Sequence, residues 1–464
     1  MRSVTCIGQA QVQRSLYTKL VASVLFPLHE WLKGHTTTRI LKRLEESQWL
    51  SPEELEFHRI ERLRVFLKEV QLHVPYYRNL FNHIQFSPEH LTSLQELQRI
   101  PFLDKSIIRK QSSNLMADHA STLMLFNTGG STGEPLIFYL SKSRISHDVA
   151  AKWRATQWWG VDIGDPEVVI WGSPIELGTQ NHLREWRDRL LRTRLLSAFE
   201  MSERNLDDFV AKIQRLRPNM LFGYPSAIAH IARHAQKRNI LMNDLGIQVA
   251  FVTGERLYND QRLVIEAIFG CPVANGYGGR DAGFIAHQCQ AGGMHITAED
   301  IVVELIGREG RPVPAGEPGE VVITHLATSE FPFIRYRTGD IAVFDDQPCA
   351  CGRSLPVLKE VQGRTTDFIV ALDGTVMHGL ALIYILRDLP GIGSFKIIQE
   401  SKAEVRVLVV PTDKYSNATE DSIQRGFQER LGGGVSVRIE LVAEIPPERS
   451  GKFRYVVSHV AMHS

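Results

Sequence analysis

Apolar residues recur in two different rhythms along the chain, and the change between them divides it. Residues 39–115 carry the helical one: Leu55, Ile60, Leu63, Phe66, Leu67 and Val70 return to one side of a helix. Ser51-Pro52-Glu53-Glu54 ahead of them is a capping box with proline in the first turn, and Pro75 ends that helix. Asp104 is placed to cap another short helix. Two short apolar runs, Leu123–Phe126 and Leu136–Leu140, then read as strands around a polar, glycine-rich loop.

Beyond the loop, strands and helices alternate. Val168–Trp171, Met220–Pro225, Val249–Thr253 and Pro272–Asn275 are strand-like, with helical stretches at Leu206–Leu216, Ala227–Lys237 and Asp260–Ile268. This predicts an α/β fold with a mostly parallel sheet covered by helices. Ligands of such sheets sit where loops leave the carboxyl ends of strands, here 223–226, 254–255 and 276–283. From about residue 295 the texture becomes antiparallel, with Ile301–Ile306, Glu320–Leu326 and Ile341–Phe344 between glycine and proline turns. The remainder reads as strand, helix, two strands, helix, strand: 368–372, 379–388, 395–400, 405–410, 419–431 and 435–441. The expected organisation is a large domain, 1–362, with a helical region 1–115 and a strand-rich part at 295–360. A small α+β domain, 363–464, follows a boundary near Gly363–Asp367.

One more helical stripe lies near the start: Tyr17, Leu20, Val21, Val24, Leu25, Leu28 and Trp31, interrupted by Pro27. It is too short to span a bilayer, and no small-residue cleavage site follows it. A helix packed on its own domain is the expectation, with a helix lying on a membrane surface as the alternative. A cytoplasmic location is the default.

Composition narrows the function classes. The 464 residues are 43% hydrophobic and 23% charged, ordinary for a globular protein with a sizeable core. Lysine and arginine (53) balance aspartate and glutamate (52), leaving a net charge of +1 and no electrostatic footprint for nucleic acid. Five cysteines, an odd number, do not make a disulfide framework and fit a reducing compartment.

Candidate chemistry sits on the loops. Phe126–Leu136, FNTGGSTGEPL, offers glycines whose backbone N–H groups can converge on a polyphosphate, with Thr128, Ser131 and Thr132 as neutral donors. Glu134 stands where a phosphate-loop lysine would be, so a solvated hairpin tip remains equally open. In 276–283, Tyr277 can stack on a base, and Asp281 is a hard oxygen ligand for Mg²⁺; a glycine turn with an Arg–Asp pair is the plainer reading. Asp340, ending Tyr336-Arg337-Thr338-Gly339-Asp340, can accept two ribose hydroxyls or simply cap a turn. Arg364 lies in a charged segment at the domain boundary, and Lys452, beside Gly451, can extend as a point charge toward phosphate.

In this order the motifs resemble the adenylate-forming superfamily of acyl-CoA synthetases, carrier-loading adenylation domains and luciferase-like ligases. Within it the chain is similar to the phenylacetate–CoA ligase branch, including relatives from capsular-polysaccharide gene clusters. Ser47-Gln48-Trp49-Leu50 and Val74-Pro75-Tyr76-Tyr77-Arg78 also resemble that branch. The resemblance implies that Thr128, Gly129, Gly130, Ser131, Thr132 and Gly133 hold the β/γ-phosphates of ATP. Gly254, Glu255, Tyr277 and Gly278 would line the adenine pocket, while Asp340 and Arg364 take the ribose. Lys452 would bridge the carboxylate and the α-phosphate, and the small domain would turn about Thr366–Asp367.

The implied reaction converts a carboxylic acid and ATP to acyl-AMP and pyrophosphate with Mg²⁺, then passes the acyl group to CoA. An amine or sugar acceptor in surface-polysaccharide assembly is the alternative. A catalytically silent nucleotide-binding protein is the reading from another class. The family's usual glutamate after Tyr-Gly is here Asp281, one methylene shorter, which invites that last reading. Cys289, His295, Cys349 and Cys351 make a four-ligand set for structural Zn²⁺, as in some members of the branch, with His287 as substitute; reduced, partly buried cysteines are the plainer reading. Trp158, Trp159, Tyr224 and Ser226 are acyl-pocket candidates from resembling segments.

Overall fold

The structure, a computed structural model, describes residues 15–127, 136–171, 182–198, 201, 203–364, 368–446 and 454–460. The N-terminal helices form where the pattern places them. Helix Pro52–His73 carries the full Ser51/Glu54 capping box, and Asp104 accepts the Ile107 N–H to start Lys105–Gln111. Pro75 ends one helix and opens the next, Pro75–His83, because a proline is tolerated only in a first turn. A hairpin follows, β1 (Met124–Asn127) and β2 (Ile137–Leu140), paired antiparallel on either side of the glycine-rich segment. That segment, 128–133, lies outside the described residues.

Eleven of the described strands form one sheet. Its parallel half contains β3 (Glu167–Trp171), β4 (Thr193–Ser197), β5 (Met220–Gly223), β6 (Val249–Thr253) and β7 (Val273–Gly279). All five residues of β6 are buried, as expected of a strand covered on both faces. The antiparallel half adds β8 (Gly283–Gln288), β9 (Met294–Ile296), β10 (Ile301–Ile306), β11 (Pro318–His325), β12 (Tyr336–Phe344) and β13 (Val357–Arg364). The order across the sheet is β10-β11-β12-β13-β9-β8-β7-β6-β5-β3-β4. The strand-rich part is therefore joined edgewise to the parallel half through the β7–β8 hairpin. Strands β4 and β8 escape the hydrophobic pattern because polar residues such as Arg194 and His287 interrupt them.

Buried ion pairs tie the helical region to this sheet. Arg154 meets Glu299 at 2.6 Å, and His147 and Arg62 each meet Asp300 at 2.7 Å. Burial alone would raise the Asp300 pKa, but the His147 and Arg62 charges hold it well below the usual carboxylate range.

The small unit has its own sheet and core. Strands β14 (Phe368–Val370) and β15 (Val376–His378) make a hairpin, while β16 (Ile392–Ser401), β17 (Glu404–Pro411), β18 (Ser436–Leu441) and β19 (Val456–Ser458) order as β18-β17-β16-β19. Helices Leu380–Asp388 and Asn417–Leu431 cover it, burying Leu382, Leu386, Ile423 and Phe427 with Val405, Val407 and Val409. The expected hinge, Thr366–Asp367, lies outside the described residues.

The first stripe behaves differently from the expectation. Residues Leu16–Leu32 make one continuous helix through Pro27, because its middle, Val21–Leu25, is a π turn. The Phe26 N–H reaches back to Val21 O, five residues away, which relieves the carbonyl clash that proline imposes on an α-helix. Of the seven stripe residues only Val21 is buried; Tyr17, Leu20, Val24, Leu28 and Trp31 face solvent. The helix does pack on its own domain, with Val21, Leu25 and Phe26 against Ile40, Leu44 and Trp153, while the rest of the stripe stays uncovered. Among the described residues no helix is long and apolar enough to cross a membrane.

Candidate active site at the carboxyl edge of the sheet

The loops leaving β5, β6 and β7 emerge along one edge, and Tyr224, Ser226, Gly254, Glu255, Tyr277 and Asp281 collect there. Gly254 follows β6 at φ 83°, a left-handed conformation that glycine adopts without strain. A Cβ on it would come within 3.0 Å of the Tyr224 ring and 3.2 Å of Trp171. Those two rings stack at 4.2 Å, so Gly254 lies against an aromatic wall. Glu255 accepts the Ser226 N–H at 3.2 Å, fastening the β6 loop to the start of helix Pro225–Lys237. Burial, reinforced by the Glu255 charge, pushes the Tyr224 phenol upward and keeps it protonated.

Next along the edge, β7 delivers Tyr277, whose hydroxyl donates to Asp340 Oδ2 at 2.8 Å. Asp340 stands on β12 and pairs across the ladder with Arg364 on β13. Gly278 is pressed so close to Gly283 that a Cβ would lie 2.2 Å from its carbonyl oxygen. That approach turns the hairpin sharply and presents Asp281 at its tip. The buried Tyr336 hydroxyl donates to Asp281 Oδ2 at 2.7 Å, and Oδ1 accepts the Ala282 N–H at 3.1 Å. Arg144, fully buried, reaches the Asp281 carbonyl at 3.4 Å from below and pairs with Asp148 at 3.0 Å. Arg280 points to Asn127 O, 3.5 Å away, at the start of the glycine-rich segment.

These features place a glycine-lined aromatic recess, two carboxylates and a polar hairpin tip on one edge. Residues 83–329, more than half of the 464, match the family model described as AMP-binding enzyme. The chain belongs to the AMP-binding enzyme family. Residues 369–459 match a second model, the CapK C-terminal domain. The chain is 24% identical to Protein CapK of Staphylococcus aureus over 90% of its length and 92% of the relative's. It is 25% identical to the phenylacetate-coenzyme A ligase of Thermus thermophilus, covering 89% and 98%. Among solved structures, 2-hydroxyisobutyryl-CoA ligase in the postadenylation state with R3-HIB-AMP superposes with a TM-score of 0.70 at 21% identity, covering 88% and 90%. The same ligase with 2-HIB-AMP and CoA in the thioesterification state gives 0.59, covering 88% and 91%. A large mixed-sheet domain followed by a small C-terminal α+β domain is the fold the chain shares with these structures.

This AMP-binding enzyme holds its small unit against the β6 loop by a clasp that the sequence did not announce. Arg387 pairs with Asp260 at 2.9 Å and lies over the rings of Tyr258 and Tyr455, 4.4 and 5.2 Å from their centroids. Tyr258 and Tyr455 meet edge to face at 5.3 Å. Tyr258 closes the loop that begins with Gly254-Glu255, and Tyr455 follows Lys452 by three residues. Lys452 itself lies outside the described residues, as does the side chain of Arg364.

The cysteine–histidine set converges. Ligand atoms of Cys289, His295, Cys349 and Cys351 all lie within 4.8 Å of one another. Cys289 Sγ and Cys349 Sγ are 3.6 Å apart, near the roughly 3.8 Å that tetrahedral zinc–thiolate bonds require. His295 Nδ1 faces Leu355 O at 3.2 Å, which leaves Nε2 turned to Cys351 Sγ at 3.1 Å. A Cβ on Gly293 would strike Cys349 Sγ at 2.6 Å, so the turn is shaped for the cluster. His287 is not needed: it is buried elsewhere, stacked on Phe284. Trp158 packs edge-on to His295 and bonds Gln48 at 2.8 Å, so it belongs with this cluster. Trp159 donates to Gln288 O at 2.9 Å. The aromatic wall beside Gly254 is instead Tyr224 with Trp171, a residue the sequence offered only as the end of a strand.

Proposed function

We propose that the protein activates an organic carboxylic acid with ATP and transfers the acyl group to CoA. A carboxylate oxygen attacks the α-phosphorus, the bond to pyrophosphate breaks, and acyl-AMP forms. The CoA thiolate then attacks the acyl carbon, and AMP leaves. The Tyr277–Asp340 hydrogen bond carries this reading: it joins a ring able to stack on adenine to a carboxylate able to accept both ribose hydroxyls, beside Gly254-Glu255. Thr128–Gly133 would hold the β- and γ-phosphates, Arg364 the ribose, and Lys452 the developing charge. Catalysis of this kind is positioning and charge stabilisation.

Mg²⁺ fits Asp281, whose carboxylate is held by Tyr336 and the Ala282 amide, in line with an ion that keeps most of its water. It would neutralise the polyphosphate. Zn²⁺ fits the Cys289/His295/Cys349/Cys351 set; four protein ligands leave no open position, so its role is structural. Trp171 and Tyr224 make a flat wall suited to an aromatic or other planar acid.

The test is carboxylate-dependent ATP–pyrophosphate exchange across a panel of acids, with Lys452→Ala as control. Exchange in the native chain and its loss in the variant are expected; exchange that survives the substitution removes Lys452 from the role. ATP binding with no exchange on any acid would favour the silent nucleotide-binding protein.

A second acceptor reading, an amine or sugar in surface-polysaccharide assembly, rests on the resemblance of the motif series to relatives from capsular-polysaccharide gene clusters. Mass spectrometry of products formed with CoA and with amine or sugar acceptors separates the two.

A further inference from the structure

The helix Leu16–Leu32 leaves an apolar row uncovered: Leu16, Leu20, Val24, Leu28 and Leu32, four residues apart throughout. In a uniform α-helix, steps of four drift around the axis; the wider π turn at Val21–Leu25 drifts the other way and keeps the row on one side. Trp31, 72% exposed, stands beside it. The face continues onto helix His182–Leu190, because the Tyr17 hydroxyl donates to Leu190 O at 2.8 Å. Leu190 and Trp186, one turn apart, are themselves 53% and 64% exposed.

Basic residues outnumber acids around the row, Lys19, Lys33, Arg187, Arg189 and Arg192 against Glu30, Glu185 and Asp188. Lys19 and Lys33 are exposed, whereas Glu30, the one acid between Ser15 and Lys33, is 4% exposed and turned inward to Thr37 and His35. Arg189 lies over the Trp186 ring, and Arg192 over that of Tyr17. Asp188 is taken by Arg187. Leucines and two tryptophans on one side of a helix, with exposed positive charge at the flanks, are what an interfacial helix needs to enter headgroups rather than to cross the bilayer.

We propose that this face docks on an anionic lipid membrane, seating helix Leu16–Leu32 and the Trp186–Leu190 edge in the headgroup region. The adenylating site would then work at a membrane surface.

The test is co-sedimentation of the full chain with vesicles of phosphatidylcholine alone and of phosphatidylcholine mixed with phosphatidylglycerol. Binding on the order of tenfold or more tighter to the mixed vesicles is expected, since each exposed basic residue near an anionic surface contributes roughly fivefold before screening and Lys19 and Lys33 both flank the face. Leu28→Glu with Trp31→Glu abolishes pelleting while thermal unfolding stays unchanged, both positions being exposed. Lys19→Glu with Lys33→Glu removes the preference for the anionic mixture. No pelleting of the native chain, or pelleting that survives Leu28→Glu with Trp31→Glu, overturns the proposal. A dimer in light scattering that becomes monomer in Leu28→Glu, without vesicle binding, assigns the face to a second copy instead.

Discussion

Tyr277 and Asp340 come from strands far apart in sequence, β7 and β12, yet the phenol donates to the carboxylate at 2.8 Å. The bond fixes the ring while orienting the acid, so the proposed base and ribose contacts are coupled. Tyr277→Phe keeps the ring and removes the hydroxyl. The loss is about 1 kcal/mol, which raises KM for ATP about fivefold with kcat little changed. Steady-state exchange kinetics check it; an unchanged KM would sink the coupling.

Tyr336 holds Asp281 from a fully buried position. In Tyr336→Phe the carboxylate loses a charge-assisted hydrogen bond, a change of about 2 kcal/mol. The Mg²⁺ concentration for half-maximal exchange should rise about tenfold or more, with ATP affinity in the absence of the metal unaltered. A magnesium titration of both proteins decides.

The clasp of Arg387 between Tyr258 and Tyr455 positions the small unit. Arg387→Ala removes an ion pair and two cation–π contacts. Pyrophosphate exchange should fall about three- to tenfold, while acyl transfer from pre-formed acyl-AMP is unaffected or faster. Equal loss in both half-reactions would show that Arg387 supports folding alone.

Zinc analysis should find one metal per chain, lost together with stability on chelation. Cys349→Ser leaves the set incomplete, and a loss of about 3 kcal/mol lowers the unfolding midpoint by roughly 3–5 °C. Native-like stability in a metal-free protein would contradict the assignment.

Stability should also fall with acid before the carboxylates titrate. Burial, with Arg154 nearby, lowers the His287 pKa to about 3, and burial with Arg144 lowers that of His325 to about 4. Unfolded, these rings take up protons near 6.5, the ordinary value for histidine. Between pH 6.5 and about 4 the unfolded state therefore binds more protons, and stability declines as pH drops through that window. Among the described residues, neither His287 nitrogen has a hydrogen-bond partner. His287→Leu should thus raise the midpoint at neutral pH and flatten its fall between pH 6.5 and 4. Thermal scans of both chains across pH are sufficient.

Much of this was legible in the amino-acid order. Local rules sufficed for the Ser51 capping box, the Asp104 cap and strand β6, because each depends on neighbours within a turn or on a continuous apolar run. The motif series likewise picked out Gly254, Tyr277, Asp281 and Asp340, since glycine turns and carboxylates beside strand ends are readable one loop at a time. What belongs together across the chain was not readable. Trp171 looks like the end of a strand until Gly254 clears room beside it, and Arg387 looks like a helix surface charge until Tyr258 and Tyr455 enclose it. The first helix shows the limit most plainly. Its periodicity determined an apolar face, but whether that face is covered depends on what the tertiary structure brings against it. There it brings cover to Val21 and leaves Leu16, Leu20, Val24 and Leu28 to the solvent.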